Sequence, residues 1–187
     1  MPNTLSVSLE GLDGSGKSTA AERLRQHYVS RGRTVVALTS PSRRPGGLYL
    51  RQNLFRLDPE EKDELFMQDL KDSQAHIPPE ANLAIWDRHV DSIYTSNPET
   101  NLGRIGTLSS GLVLPDMTCY LKLGIADAYD RATPITDHEL DKEWLNMKYE
   151  RYEELSELYP DRITTIDASQ SVDDVLDEII NKVEERL

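Results

Sequence analysis

Residues Leu9–Thr19 read LEGLDGSGKST, and this stretch decides the fold. Within it, Gly11-Leu12-Asp13-Gly14-Ser15-Gly16-Lys17-Ser18 satisfies G-x-x-x-x-G-K-[ST] in full. Glycines at this spacing let successive backbone N–H groups curl around an anion without side-chain clashes. A helix opening just after them points its positive end at the same place. Lys17 then reaches the outer phosphates of a nucleoside triphosphate, and the Ser18 hydroxyl is a ligand for Mg²⁺. The expected ATP-binding residues are Asp13, Gly14, Ser15, Gly16, Lys17, Ser18 and Thr19, with ATP and Mg²⁺ as cofactors.

The motif requires a strand before it and a helix after it, and both are legible. TLSVSLEGL is apolar at every second position, and KSTAAERLRQHYVSRG carries Ala21, Leu24 and Tyr28 at helical spacing before Gly32. Working outward, TVVALTS reads as a β-branched strand, after which Pro41, Pro45, Gly46 and Gly47 break the chain. Asp58 caps a helix that begins at Pro59, with acids in its first turn. NLAIWDRH, DMTCYLKL and RITTID are further strands. DKEWLNMKYERYEELSELYP is a long helix with Trp144, Met147 or Lys148, Arg151, Leu155 and Leu158 at 3–4 spacing. The closing helix places Val172, Val175, Leu176, Ile179, Ile180 and Val183 on one face.

Strands alternating with helices predict an α/β fold: a mostly parallel sheet of about five strands, helices on both faces, and right-handed crossovers. Ligands of such folds sit beyond the carboxyl ends of the strands, so functional residues are expected just after Leu9, Thr39, Trp86, Leu123 and Asp167. The 187 residues suit one domain, 1–187, with no linker or repeat.

No apolar run approaches the roughly 20 residues of a membrane span, and the N-terminus lacks a secretory pattern, so a cytoplasmic location is expected. Cys119, the single cysteine, reads as core filling. A net charge of −12 argues against nucleic acid as a partner unless a local cleft is basic. PSRRPGG with Arg51 and Arg56 is the one concentrated positive stretch, and it invites an anion. Neither an N-K-x-D guanine reader nor an aspartate-glycine switch after the third strand occurs. WDRH stands in the latter's place, and the choice tilts from GTPase to kinase.

Four stretches, in order, resemble the thymidylate kinases. LEGLDGSGKST is similar to that family's F-E-G-x-D-G-x-G-K-[ST]-T, SRRPGG to T-R-E-P-G-G, WDRHVDS to D-R-Y-x-x-S, and PDMTCYLKL to P-D-x-T-x-x-L-x-[VL]. The ending IDASQSVDDV is similar to the family's adenine-facing loop. The resemblance implies a three-layer P-loop kinase with a short lid at about 131–141, ATP as donor, a nucleoside monophosphate as acceptor, and a homodimer.

It also implies roles. Arg88 grips the acceptor phosphate through its planar fork, Asp87 sits near Mg²⁺ alongside Ser18, and Asp13 accepts from the sugar 3′-hydroxyl. Arg43 and Arg51 add positive charge, Phe66 stacks on the base, and Ser92 belongs to the acceptor site. Lys17, Arg88 and Arg131 are the expected catalytic residues, Arg131 being the lid arginine, with His138 where the family often has a second. Leu12 and Ser15 leave no arginine in the phosphate loop.

The family's base readers depart: Leu70, Ile93 and Ser96 stand where polar readers are expected, although Tyr94 is close by. Three functions follow from the sequence. The first is ATP-dependent phosphorylation of a deoxynucleoside monophosphate, dTMP leading. The second keeps the transfer but acts on a modified pyrimidine nucleotide or a hydroxymethylated pyrimidine in DNA. The third is a nucleotide-binding module without phosphotransfer.

Overall fold

The computed structural model describes residues 4–54, 56–132 and 142–187. Five strands, β1 (Leu5–Glu10), β2 (Val35–Thr39), β3 (Leu83–Asp87), β4 (Met117–Lys122) and β5 (Ile163–Asp167), form one sheet in the order β2-β3-β1-β4-β5. All four pairings are parallel, as the alternation of strands and helices requires. The arrangement is that of a three-layer P-loop kinase.

Alternate residues of β3 show that both faces are covered. Leu83 and Ile85 join one apolar cluster with Leu24 and Tyr28 of helix α1 (Lys17–Val29). Ala84 and Trp86 join a second cluster with Met67 and Leu70 of helix α3 (Pro59–Gln74). Cys119 is fully buried in the first cluster. Asp58 caps α3 as expected, its carboxylate accepting from the Glu61 N–H at 2.8 Å.

Several elements differ from the expectations. The stretch read as a break continues into a helix, α2 (Pro45–Asn53), because Pro45 takes a first-turn position where no N–H is needed. Three short helices, α4 (Val90–Thr95), α5 (Leu102–Leu108) and α6 (Ile125–Arg131), were too brief to show a period. Helix α7 (Lys142–Leu158) buries Leu145, Lys148, Tyr152 and Leu155, whereas Leu158 is 52% exposed. Of the two alternatives Met147 and Lys148, the inward face takes Lys148, and it runs on through Tyr152 rather than Arg151. Helix α8 (Val172–Glu184) buries Val175, Ile179 and Val183 but leaves Val172 exposed.

The register places the site. Leu9 lies beside both Asp87 and Cys119, and Glu10 beside Tyr120, so the ends of β1, β3 and β4 open onto one crevice.

Candidate active site

The turn after β1 is shaped by what its glycines exclude. Gly11, Gly14 and Gly16 all have positive φ. A Cβ on Gly11 would lie 2.5 Å from the Leu121 carbonyl oxygen, and one on Gly14 2.7 Å from that of Ala128. The loop is thus pressed against β4 and α6 with no room for side chains. The Lys17 ammonium, 5% exposed, curls back into it and donates to the carbonyls of Gly11 (2.9 Å) and Leu12 (2.6 Å), with Ser15 Oγ at 3.4 Å. Burial, then repulsion from Arg88, pulls Lys17 down to about 7, against the opposing pull of Asp13. Gly16 is the helix N-cap, while Ser18 and Thr19 lie exposed on the first turn.

Ser18 donates to Asp87 Oδ2 at 2.5 Å, joining the loop to the end of β3. Arg88 follows with φ 73°, an uncommon conformation for a non-glycine residue. Its N–H donates to the Leu9 carbonyl at 3.1 Å, and its guanidinium pairs with Asp13 of the loop. The guanidinium therefore faces the phosphate cradle. Burial is the largest influence and opposes the Arg88 charge, but Asp13, Tyr152, Asp87 and Glu10 together outweigh it and raise its pKa. Burial alone would push the Asp13 carboxyl up; Arg88, Lys148 and Lys17 hold it far below the usual carboxylate range instead.

Beneath this turn lies a polar knot. Glu10, fully buried, accepts from the His89 N–H (2.6 Å), the Ser92 hydroxyl (2.5 Å) and the Tyr152 hydroxyl (2.9 Å). Burial, reinforced by nearby Asp91, pushes the Glu10 carboxyl up to about 7. Asp91 in turn receives both arms of Arg162, at 2.7 and 2.8 Å. The knot fixes the backbone just after Arg88, at the His89 N–H.

Arg43 and Arg51 lie on the other flank. A cavity of about 520 Å³ is lined by Ser18, Thr39, Arg43, Leu48, Arg51 and Asp87. A second, of about 540 Å³, shares Ser18, Thr39, Arg43 and Asp87 and adds Arg44 and Ser73. The turn that carries Arg43 and Arg44 is locked by Asp69, which accepts from the Ser42 N–H (2.7 Å) and hydroxyl (2.5 Å). Gly47 must lack a side chain there, since its Cβ would meet the Ser42 nitrogen and oxygen at 2.4 Å.

The fold thus brings Asp13, Lys17, Ser18, Asp87 and Arg88 together, with Arg43 and Arg51 across the cavity. Three expected site residues stand differently. Ser92 spends its hydroxyl on Glu10 and is 8% exposed. Phe66 is half-buried against the second apolar cluster. Arg131 donates to the Ala168 carbonyl at 3.1 Å, just past β5. The rest of the expected lid, including His138, lies outside the described residues.

Of the departed base readers, Leu70 and Ile93 are core residues of the second cluster, and Ser96 ends α4. Tyr94 gives its hydroxyl to Glu154 at 2.6 Å. Sequence reasoning missed Glu10, Tyr152 and Lys148. An acid inside a strand and a lysine four residues before a tyrosine on the helix face were the available signals.

The chain agrees with these observations when compared with known proteins. The family model for thymidylate kinase matches residues 9–179. The chain is similar to the thymidylate kinase of Mesoplasma florum, at 32% identity over 95% of this chain and 96% of that one. It is similar to that of Bifidobacterium longum strain NCC 2705 at 30% identity over 98% of each, and to that of Acinetobacter baylyi at 26% over 95% and 98%. The glycine loop, the D-R-H turn and this full-length likeness together lead to one conclusion: the chain belongs to the thymidylate kinase family.

Proposed function

We propose that the protein transfers the γ-phosphate of ATP to a deoxynucleoside monophosphate, with dTMP as the acceptor. The observation that carries this reading is the pairing of Arg88 with Asp13 at the rim of the phosphate loop, because it sets a second phosphate grip against the first. The relatives named thymidylate kinase weigh for free dTMP over a modified or DNA-borne pyrimidine.

Phosphoryl transfer asks little covalent chemistry of a protein; positioning and charge neutralisation carry it. Backbone N–H groups of Asp13–Thr19 and Lys17 hold the donor phosphates. When they enter, the Lys17 ammonium exchanges its carbonyl partners for phosphate oxygens. Arg88 holds the acceptor phosphate in line, fixed by the Glu10 knot below it. Asp13 accepts from the acceptor's 3′-hydroxyl, Arg43 and Arg51 raise the local positive potential, and Phe66 flanks the base. Arg131 serves the donor end, beside Ala168.

Ser18 Oγ and Asp87 Oδ2, 2.5 Å apart, form a hard oxygen pair of the kind that holds Mg²⁺ together with substrate phosphates. Bound there, the ion would neutralise charge on the transferring group.

We read the chain as one catalytic domain, 1–187, with its lid at about 131–141. No helix among the described residues is long and apolar enough to cross a membrane. A cytoplasmic homodimer is the assembly the family resemblance suggests, which sedimentation of the purified chain tests.

The deciding experiment is ADP release measured across a panel of ribo- and deoxyribonucleoside monophosphates. Stimulation strongest with dTMP is expected. ATP binding without stimulation by any monophosphate would refute the proposal and leave a nucleotide-binding module.

A further inference from the structure

The phosphate loop has no arginine, and the Arg131 guanidinium is engaged at Ala168, so the cations gathered at Asp13 come from elsewhere. One of them rises from α7, the helix that begins just after residues 133–141. Lys148 is 3% exposed, and its ammonium lies 3.1 Å from Asp13 Oδ2, while Arg88 takes Oδ1. A lysine buried to this degree is rare, and desolvating it is costly unless its ion pair has good geometry. One turn on, Tyr152 reaches Glu10 at 2.9 Å. A single face of α7 thus braces Asp13 in the cleft and Glu10 beneath it.

At the base end, Leu70 and Ile93 are sunk in the apolar core. Neither side chain carries a polar group for the base. An ionised carboxylate offers about four acceptor sites, so Asp13 keeps two after Arg88 and Lys148 are served.

We propose that Lys148 is a positioning residue of the acceptor site. It clamps Asp13 from the side opposite Arg88, so that the remaining lone pairs of the carboxylate meet the sugar 3′-hydroxyl of the incoming monophosphate. The proposal rests on the kinase reading above and on the role given there to Asp13. Lys148 acts through Asp13, and its loss costs recognition of that hydroxyl rather than ATP binding.

The test compares dTMP with its 3′-deoxy counterpart as acceptors, in the wild type and in Lys148→Met. In the wild type, the charge-assisted hydrogen bond predicts a preference in kcat/KM of about tenfold or more for dTMP. In Lys148→Met the preference falls to about twofold or less and KM for dTMP rises about tenfold, with KM for ATP unchanged. Lys148→Arg restores part of the preference. In an Asp13→Ala background, Lys148→Met changes the preference no further. Lys148→Gln, which keeps a polar end in the same space, replaces the methionine variant if that one does not fold.

A merely structural role would weaken both acceptors equally and leave the ratio intact, and that result overturns the proposal. A wild type indifferent to the 3′-hydroxyl overturns it as well. A wild type that phosphorylates no monophosphate refutes the kinase reading, and this inference with it.

Discussion

Lys17 makes the phosphate loop testable through the proton it takes up. Its ammonium sits among carbonyls with Arg88 and Lys148 nearby, and its pKa is drawn down to about 7. A triphosphate entering the loop reverses that environment and returns the lysine to its ordinary range near about 10.5. At pH 8 the empty site has only about 0.1 of this proton, so binding takes up about 0.9; at pH 6 the uptake is about 0.1. The same linkage weakens ATP binding about tenfold, or ~1.4 kcal/mol, for each pH unit above 7. Calorimetric titration of ATP at pH 8 in buffers of different ionisation enthalpy reads the uptake directly. Glu10, raised to about 7 by burial, would add uptake of the same sign, so Lys17→Arg is the control. An arginine stays protonated and removes only the lysine's share. Uptake near zero at pH 8, or uptake unchanged in Lys17→Arg, would refute the description of this loop.

Three further outcomes follow from named contacts. Arg88→Ala removes the acceptor grip and leaves Asp13 without its strongest partner; kcat/KM for dTMP should fall by a factor of about 10² or more with ATP affinity little changed. Gly47→Ala drives a Cβ to 2.4 Å from backbone atoms of Ser42; a loss of about 2 kcal/mol or more in unfolding free energy is expected, with a raised acceptor KM because Arg43 shares that turn. His89 is fully buried, neither ring nitrogen has a hydrogen-bond partner among the described residues, and burial pulls its pKa down to about 4. Its folded pKa is depressed, so the unfolded chain takes the proton first as pH falls from about 6.5 to 4, at a cost of about 3 kcal/mol. His89→Phe should lose that much less than the wild type in denaturation curves over this window; equal losses would contradict the assignment.

The fold was largely legible because its signals are local. Alternation marked β1, β-branching marked β2, and a capping aspartate with the following proline marked the start of α3. The glycine loop was legible for the same reason, since spacing alone dictates what its backbone can do. What escaped depends on contacts between distant parts of the chain. Glu10 looks like an interruption in a strand until Tyr152, 142 residues away, is brought to it. Lys148 is only an alternative to Met147 at helical spacing until the packing of α7 turns it toward Asp13. Leu70 and Ile93 could be seen to lack polar groups, but only the second apolar cluster shows that they belong to the core. Helix α2 was hidden because proline and glycine read as punctuation, although proline is at home in a first turn.

The central claim is that Arg88 and the glycine loop hold two phosphates in one shared cleft. Its most direct measurement is equilibrium binding of a ligand in which adenosine and thymidine are joined by a polyphosphate chain. The account predicts that this ligand displaces both ATP and dTMP, binds far more tightly than either, and loses most of that advantage in Arg88→Met. A ligand that competes with ATP alone, with affinity indifferent to Arg88, would contradict it.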